Sequence, residues 1–376
     1  MNERLPALAF TEHAQRWAAA GHHLVPARGV PMVPMPPHVV AAASEAAAQV
    51  FPRESRGSLP LREAIASTLS VHHGMAVDPD RELLITHGAQ HGTSVALRAL
   101  VAPGAEVVIP APTYFFDGMV RMAGLTPRYV PTDAAAGWAL DVDAVEKAIT
   151  ARTRAVIICN PNNPTGAVPT RRELSDLLDL AAKHGLYVFS DESYERYVHE
   201  GPGYVPQRSV RPTGDHLVTV TSLSKNYAFT SWRIGYVHAT TRTLDAIHRA
   251  FEWDAINVGD VPQAAAHAAI TGPQDWLDVE FATMRERRDI LQAGVEAAGF
   301  TAVRPAAGIF TFVDFTATGV RGDDLEDTLL QAGVCGLVGN GFQGPATHAR
   351  LLYGAAAENV RQLGARLGEL AQRRAR

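Results

Sequence analysis

Cysteine is nearly absent from this chain: among 376 residues only Cys159 and Cys335 occur, and they form no Cys-x-x-Cys pair. That argues against a zinc ribbon or a redox dithiol motif. One disulfide is open to such a pair, but two reduced core thiols in a cytoplasmic protein are the expectation. Long apolar runs are missing too. The opening MNERLPALAF holds none long enough for a signal peptide, and no later segment approaches a membrane span. Charge of one sign is also lacking. The formal net charge is -5 with a pI near 6.3, and the only basic run is the terminal Arg373-Arg374-Ala375-Arg376. Nothing there points to a nucleic-acid or membrane partner. No internal repeat, low-complexity linker, Gly-x-Ser-x-Gly elbow or Walker sequence is present.

What is present is ordinary globular composition, 47% hydrophobic and 19% charged, at a length that suits two lobes. The first stretch reads as irregular, because Pro26, Pro31, Pro34, Pro36 and Pro37 exclude a helix there. Helices follow from about Pro37 to Gln49 and from Leu59 to His72. Short apolar, β-rich runs then alternate with helical patterns. They lie at Leu83–Thr86, Val107–Pro110, Pro127–Val130, Ala155–Cys159, Tyr187–Ser190, Leu217–Thr221 and Ile234–His238. Such alternation predicts a mainly parallel, doubly wound sheet. After Leu244 the pattern changes to long helices. Strand-like Phe310–Phe315, a helix at Asp323–Ala332, strand-like Ala349–Tyr353 and a last helix from Glu358 then follow. The fold class expected is α/β: a large domain with a seven-stranded sheet plus a smaller α+β domain. The division expected is 1–48 for an N-terminal arm and part of the small domain, 49–270 for the large domain and 271–376 for the small one.

Ligands of open α/β sheets bind beyond the carboxyl ends of the strands. There the sequence places His87-Gly88-Ala89-Gln90, Ala111-Pro112-Thr113-Tyr114, Asn160 to Gly166, Asp191-Glu192-Ser193-Tyr194 and Ser222-Leu223-Ser224-Lys225. Each cluster alone reads as a loop, a turn, an N-cap or a surface charge. Together they supply a phosphate cradle, an aromatic plate, an acid and a lysine.

In this combination the chain resembles the fold-type I pyridoxal 5'-phosphate (PLP) enzymes, specifically the class I/II aminotransferases. The resemblance rests on Ser222-Leu223-Ser224-Lys225-Asn226-Tyr227 with Arg233-Ile234-Gly235 beyond it, on Asn163-Pro164-Thr165-Gly166, and on Asp191-Glu192-Ser193-Tyr194. Gly57–Ala66 and Ala27–Val39 add to it, and it spans roughly residues 24 to 370. It implies that Lys225 forms the Schiff base with PLP and later carries the proton. Asp191 pairs with the pyridine nitrogen, so that the ring acts as an electron sink. Tyr194 and Asn163 donate to the ring phenolate, and Tyr114 stacks on the ring. The phosphate sits after Gly88 on the N–H groups of Ala89 and Gln90, with Ser222, Ser224 and Arg233 completing the cradle. Arg350 takes the substrate carboxylate, and Gly29 lets backbone approach the same group. The partners implied are an amino acid and a 2-oxo acid, in a homodimer. The reaction implied is transamination. The same scaffold also serves lyase, replacement, decarboxylase and oxidase reactions, and a non-catalytic descendant is disfavoured by the intact Lys225 and Asp191.

One departure from the pattern stands out. Many family members carry a Tyr five residues before the Gly of the Gly57 segment, reaching the partner subunit's phosphate; here Pro52 holds that place, beside Phe51. Three other features are read as decoys or left open. Gly339-Asn340-Gly341-Phe342-Gln343-Gly344 spells G-x-G-x-x-G, but Pro345 follows where a helix should start, so a loop leading to Arg350 is expected. His22-His23 and His72-His73 have no further ligand at metal spacing. Arg28, His87, Phe115, Phe116 and Trp232 lie near the predicted site: the aromatics suit either an apolar or aromatic substrate or plain core packing, and Arg28 is the candidate for a second substrate carboxylate.

Overall fold

The computed structural model describes residues 4–30, 33–49, 54–201 and 203–374. Strands β1 (Leu83–Thr86), β2 (Glu106–Ala111), β3 (Thr126–Pro131), β4 (Thr153–Cys159), β5 (Tyr187–Asp191), β6 (Leu217–Ser222) and β7 (Gly235–His238) form one seven-stranded sheet in the order β1-β7-β6-β5-β4-β2-β3. The pairs among β3, β2, β4, β5 and β6 are parallel, and β7 is antiparallel to both its neighbours. Both faces are covered, as continuous apolar strands require. The two-residue period decides which side chain goes where. In β4, Ala155, Ile157 and Cys159 join the core on one face, while Val156 and Ile158 join the core on the other.

Strands β8 (Thr301–Ala302), β9 (Phe310–Asp314), β10 (Leu337–Val338) and β11 (His348–Leu352) form a second, antiparallel sheet ordered β10-β11-β9-β8. Helices Asp275–Ala297 and Ala357–Arg374 accompany it, and Met284, Leu291, Leu363 and Leu367 share its core. The arm joins the same body, with Val25 N donating to Gly333 O at 2.9 Å and Gly354 N to Arg28 O at 3.0 Å.

Three elements depart from the sequence reading. A helix spans Pro6–Ala19, in a stretch read as irregular; Pro6 starts it, and none of its residues is buried. Strands β8 and β10 are two residues long, too short to leave a periodicity. The helices at 37 and 59 end at Ala47 and His73, and the left-handed Gly74 stops the second.

The order of strands places the site. Because β7 is antiparallel to both β1 and β6, those two strands run the same way. Gly235, the first residue of β7, therefore sits between their carboxyl ends, opposite Thr86 and Ser222. A Cβ on Gly235 would lie 2.4 Å from Thr221 O and 3.0 Å from Gly88 Cα, so only glycine fits. Gly235→Ala is expected to cost about 1–3 kcal/mol through overpacking. The readout is a lower urea midpoint at unchanged slope; an unchanged midpoint would contradict this packing.

Candidate active site

The carboxyl edge of the large sheet opens into a cavity. At one end Gly88, with φ 83, starts helix Ala89–Leu100 without a side-chain cap. The first N–H groups of that helix thus stay free for an anion. A Cβ on Gly88 would come 3.1 Å from Arg233 Nη2, so the glycine lets the guanidinium close on the helix start. Arg233 Nη1 donates to Ser224 Oγ at 3.3 Å and to Thr230 O at 3.1 Å. Ser222 Oγ accepts from Ser224 N at 3.1 Å, capping the short helix Leu223–Asn226. Ala89, Gln90, Ser222, Ser224 and Arg233 all line the cavity.

At the other end stands Asp191, the last residue of β5 and buried. Its Oδ1 accepts from Ser193 N at 3.1 Å and Ser193 Oγ at 2.6 Å. Burial outweighs both bonds and raises its pKa to about 6. Lys225, Tyr114 and Tyr194 line the same cavity. Lys225 Nζ donates to Gly29 O at 3.1 Å. Burial first, then the cations Arg350 and Arg233, bring its pKa down to about 8. Burial pushes Tyr114 up to about 12 and also raises Tyr194, with Arg350 opposing.

Arg350 projects from β11, and its guanidinium carbon lies 4.7 Å from the Phe342 ring centre and 5.8 Å from that of Phe310. Arg350 Nη1 donates to Asn163 Oδ1 at 2.9 Å, and Asn163 Nδ2 donates to Tyr194 OH at 3.4 Å. Arg350 Nε is buried with no partner among the described residues. An orphaned buried donor of this kind is costly unless a ligand satisfies it.

The structure thus gathers Ala89, Gln90, Tyr114, Asp191, Tyr194, Ser222, Ser224, Lys225 and Arg233 around one cavity, with Gly88, Asn163, Gly29 and Arg350 at its border. Ser193, Cys159 and Thr230 line it as well. The sequence assigns none of the three a site role: Cys159 ends its strand as an expected core thiol, and Ser193 sits inside the Asp191–Tyr194 cluster. The remaining residues lie elsewhere. His87 faces an outer pocket beside Arg233, Arg28 is exposed, Phe116 is in the core, and Trp232 packs on Phe229. Pro52 and Phe51 lie outside the described residues. The glycine-rich loop forms a short 3-10 turn over Gly339–Phe342 and delivers Phe342 to Arg350. Cys159 and Cys335 are free thiols, and no described helix is long and apolar enough to cross a membrane.

The chain carries three lysines, Lys147, Lys183 and Lys225, and the first two are exposed. Only Lys225 faces the cavity.

Residues 29–367 match the family described as aminotransferase class I and II. The aspartate/prephenate aminotransferase of Thermus thermophilus is 33% identical over 340 residues, 89% of this chain and 87% of that one. Aromatic-amino-acid aminotransferase 2 of Thermococcus litoralis is 31% identical, over 89% of this chain and 88% of that one. Among solved structures, aspartate aminotransferase from Thermus thermophilus with maleate superposes with a TM-score of 0.91 at 31% identity, covering 98% of this chain and 97% of that one. The chain belongs to the aminotransferase class I and II family, in the fold-type I architecture, and is an aminotransferase.

The depressed Lys225 has a thermodynamic consequence. Its folded pKa of about 8 lies below the ordinary 10.5, so the unfolded chain binds the extra proton in that window. The penalty is complete below pH 8 and fades as pH rises toward 10.5. Lys225→Met should therefore stabilise the cofactor-free protein at pH 7 by about 3 kcal/mol. That gain should shrink toward zero near pH 10.5. Denaturant midpoints at the two pH values check this, and an equal gain at both would contradict it.

Proposed function

We propose that this aminotransferase holds PLP in the cavity described above and moves an amino group from an L-amino acid to a 2-oxo acid, as a cytoplasmic homodimer. The observation that carries the reading is the pairing of opposites across one cavity. An anion cradle of free helix N–H groups, Ser222, Ser224 and Arg233 stands at one end, and the buried carboxylate of Asp191 stands at the other. The residues fit the group. A phosphate suits the cradle, and a ring N–H suits a carboxylate that has only Ser193 as its hydrogen-bond donor among the described residues. The surface carries Leu8, Met122 and Trp253 as large exposed apolar side chains, which supports burial against a second copy.

When bound, PLP supplies the electron sink that stabilises negative charge at the substrate Cα. The chain's own groups do the rest. Asp191 keeps a proton at the ring nitrogen, which its buried charge attracts more strongly than in water. Tyr194, oriented by Asn163, presents a hydroxyl whose proton burial makes hard to lose. Tyr114 packs as a flat wall and excludes water. Arg350 holds the substrate carboxylate through its planar fork, with Nε as the donor still to be satisfied. Lys225, with a pKa of about 8, offers a neutral amine near physiological pH and can move a proton at the substrate Cα.

The direct test is a half-reaction. Enzyme loaded with PLP and mixed with an amino acid, without acceptor, should convert its cofactor stoichiometrically to the aminated form and release a 2-oxo acid. Ammonia or CO₂ accumulating with the cofactor unchanged would overturn the transamination reading. Arg350→Ala should weaken binding of α-carboxylates by about 2–5 kcal/mol, measured by titration. Unchanged affinity would remove Arg350 from the site.

A further inference from the structure

The helix Pro6–Ala19 has no fully buried residue and Leu8 faces solvent, but Ala7, Phe10 and Ala14 turn toward the body of the protein. It walls two cavities that border the site. On one side Ala7, Phe10 and Ala14 face Leu352, Gly29 and Arg350. On the other, Leu5 and Pro6 face Tyr114, Phe115 and Gln90. Between the cavities, Leu5, Ala7 and Phe10 pack against a cluster built on Phe115 and Phe342. Those two rings stack with centroids 5.0 Å apart, and Phe342 carries the Arg350 guanidinium. Arg350 and Gly29 line one of these cavities, and Tyr114 and Gln90 line both the other and the site, so the apolar wall adjoins the site on both sides.

The charges along the wall are few. Two cations line the cavities, Arg350 and Arg4. Arg350 is taken by the α-carboxylate. Arg4 is already neutralised by Glu12, whose two carboxylate oxygens accept from its two Nη atoms. The one acid on the linings, Asp117, accepts from Tyr129 OH at 2.9 Å and from Arg121 Nε at 2.7 Å. A second substrate carboxylate would therefore lose its water without gaining a free cation among the residues that line these two cavities. Burying an unpaired carboxylate is strongly unfavourable, whereas an apolar side chain gains from the same surface.

We propose that the N-terminal helix is the specificity element of this enzyme and that it selects neutral amino acids with apolar, including aromatic, side chains over dicarboxylic ones. The proposal rests on Arg350 as the α-carboxylate site. It assigns Phe10, with Leu5 and Ala7, as residues that contact the substrate side chain. The Thermus thermophilus relatives are named for aspartate; by this reading the present chain differs from them in its side-chain preference.

Two unreactive acids separate the alternatives without using turnover. Binding of 3-phenylpropanoate and of succinate to the PLP-loaded enzyme is measured by calorimetry. The expected result is at least tenfold tighter binding of 3-phenylpropanoate. Phe10→Ala should weaken 3-phenylpropanoate by about tenfold while changing succinate less than twofold. Phe10→Arg, which places a cation on the same exposed helix, should reverse the preference toward succinate. Succinate binding as tightly as 3-phenylpropanoate in the unaltered enzyme would overturn the proposal. So would a binding ratio that neither Phe10 variant moves. If Arg350→Ala leaves both acids unaffected, the α-carboxylate reading fails, and the proposal falls with it. That result is distinct from one in which Arg350 matters but the side-chain preference is absent.

Discussion

The site depends on one steric constraint, the fit of Gly235 between Thr221 and Gly88 where β7 enters the sheet. It lets an antiparallel strand begin at the edge where its neighbours end. Two chain segments far apart in sequence, the start of helix Ala89–Leu100 and the turn after Lys225, are thereby pressed together. Arg233, just before β7, is delivered to the helix N-terminus, and Gly88 leaves it room. A side chain at Gly235 would push the cradle apart before any ligand arrived.

Electrostatics follows from this enclosure. Asp191 and Lys225 share a cavity but shift for the same reason, loss of water, one upward to about 6 and the other downward to about 8. Neither is relieved by pairing with the other. Asp191 is held by Ser193, and Lys225 is held by a backbone carbonyl of the arm. Two ionisable groups kept apart and poorly solvated are poised for a ligand that carries matching chemistry at each end. The relay from Arg350 through Asn163 to Tyr194 ties the small sheet to the large one across that ligand position. The site therefore has a contribution from each body.

Much of this was legible in the sequence, and the reasons are specific. Ala155 to Cys159 reads as a strand because it is apolar on both faces, and the structure buries both faces. The polar clusters after β1, β4, β5 and β6 could be placed together because parallel strands end on one edge. What was not legible lacks a local signal. Helix Pro6–Ala19 has no fully buried residue, so its apolar residues leave only a weak core signal. Strands β8 and β10 exist only through pairing with β9 and β11. Ser193 lines the cavity through a turn that bends back on Asp191, which spacing alone does not reveal. The loop Gly339–Gly344 shows the opposite case. Its glycines imitate a nucleotide motif but serve close packing, since a Cβ on Gly339 would lie 2.0 Å from Pro345 O.

The central claim is that Lys225 is the lysine of this chain placed to take a carbonyl cofactor, and peptide mapping tests it most directly. The PLP-loaded enzyme is reduced with borohydride and digested, and the mass of the reduced cofactor is located. The account predicts it on the peptide holding Lys225, in stoichiometric amount, and absent from those holding Lys147 and Lys183. A stoichiometric label on either of the exposed lysines, with Lys225 unmodified, would contradict it.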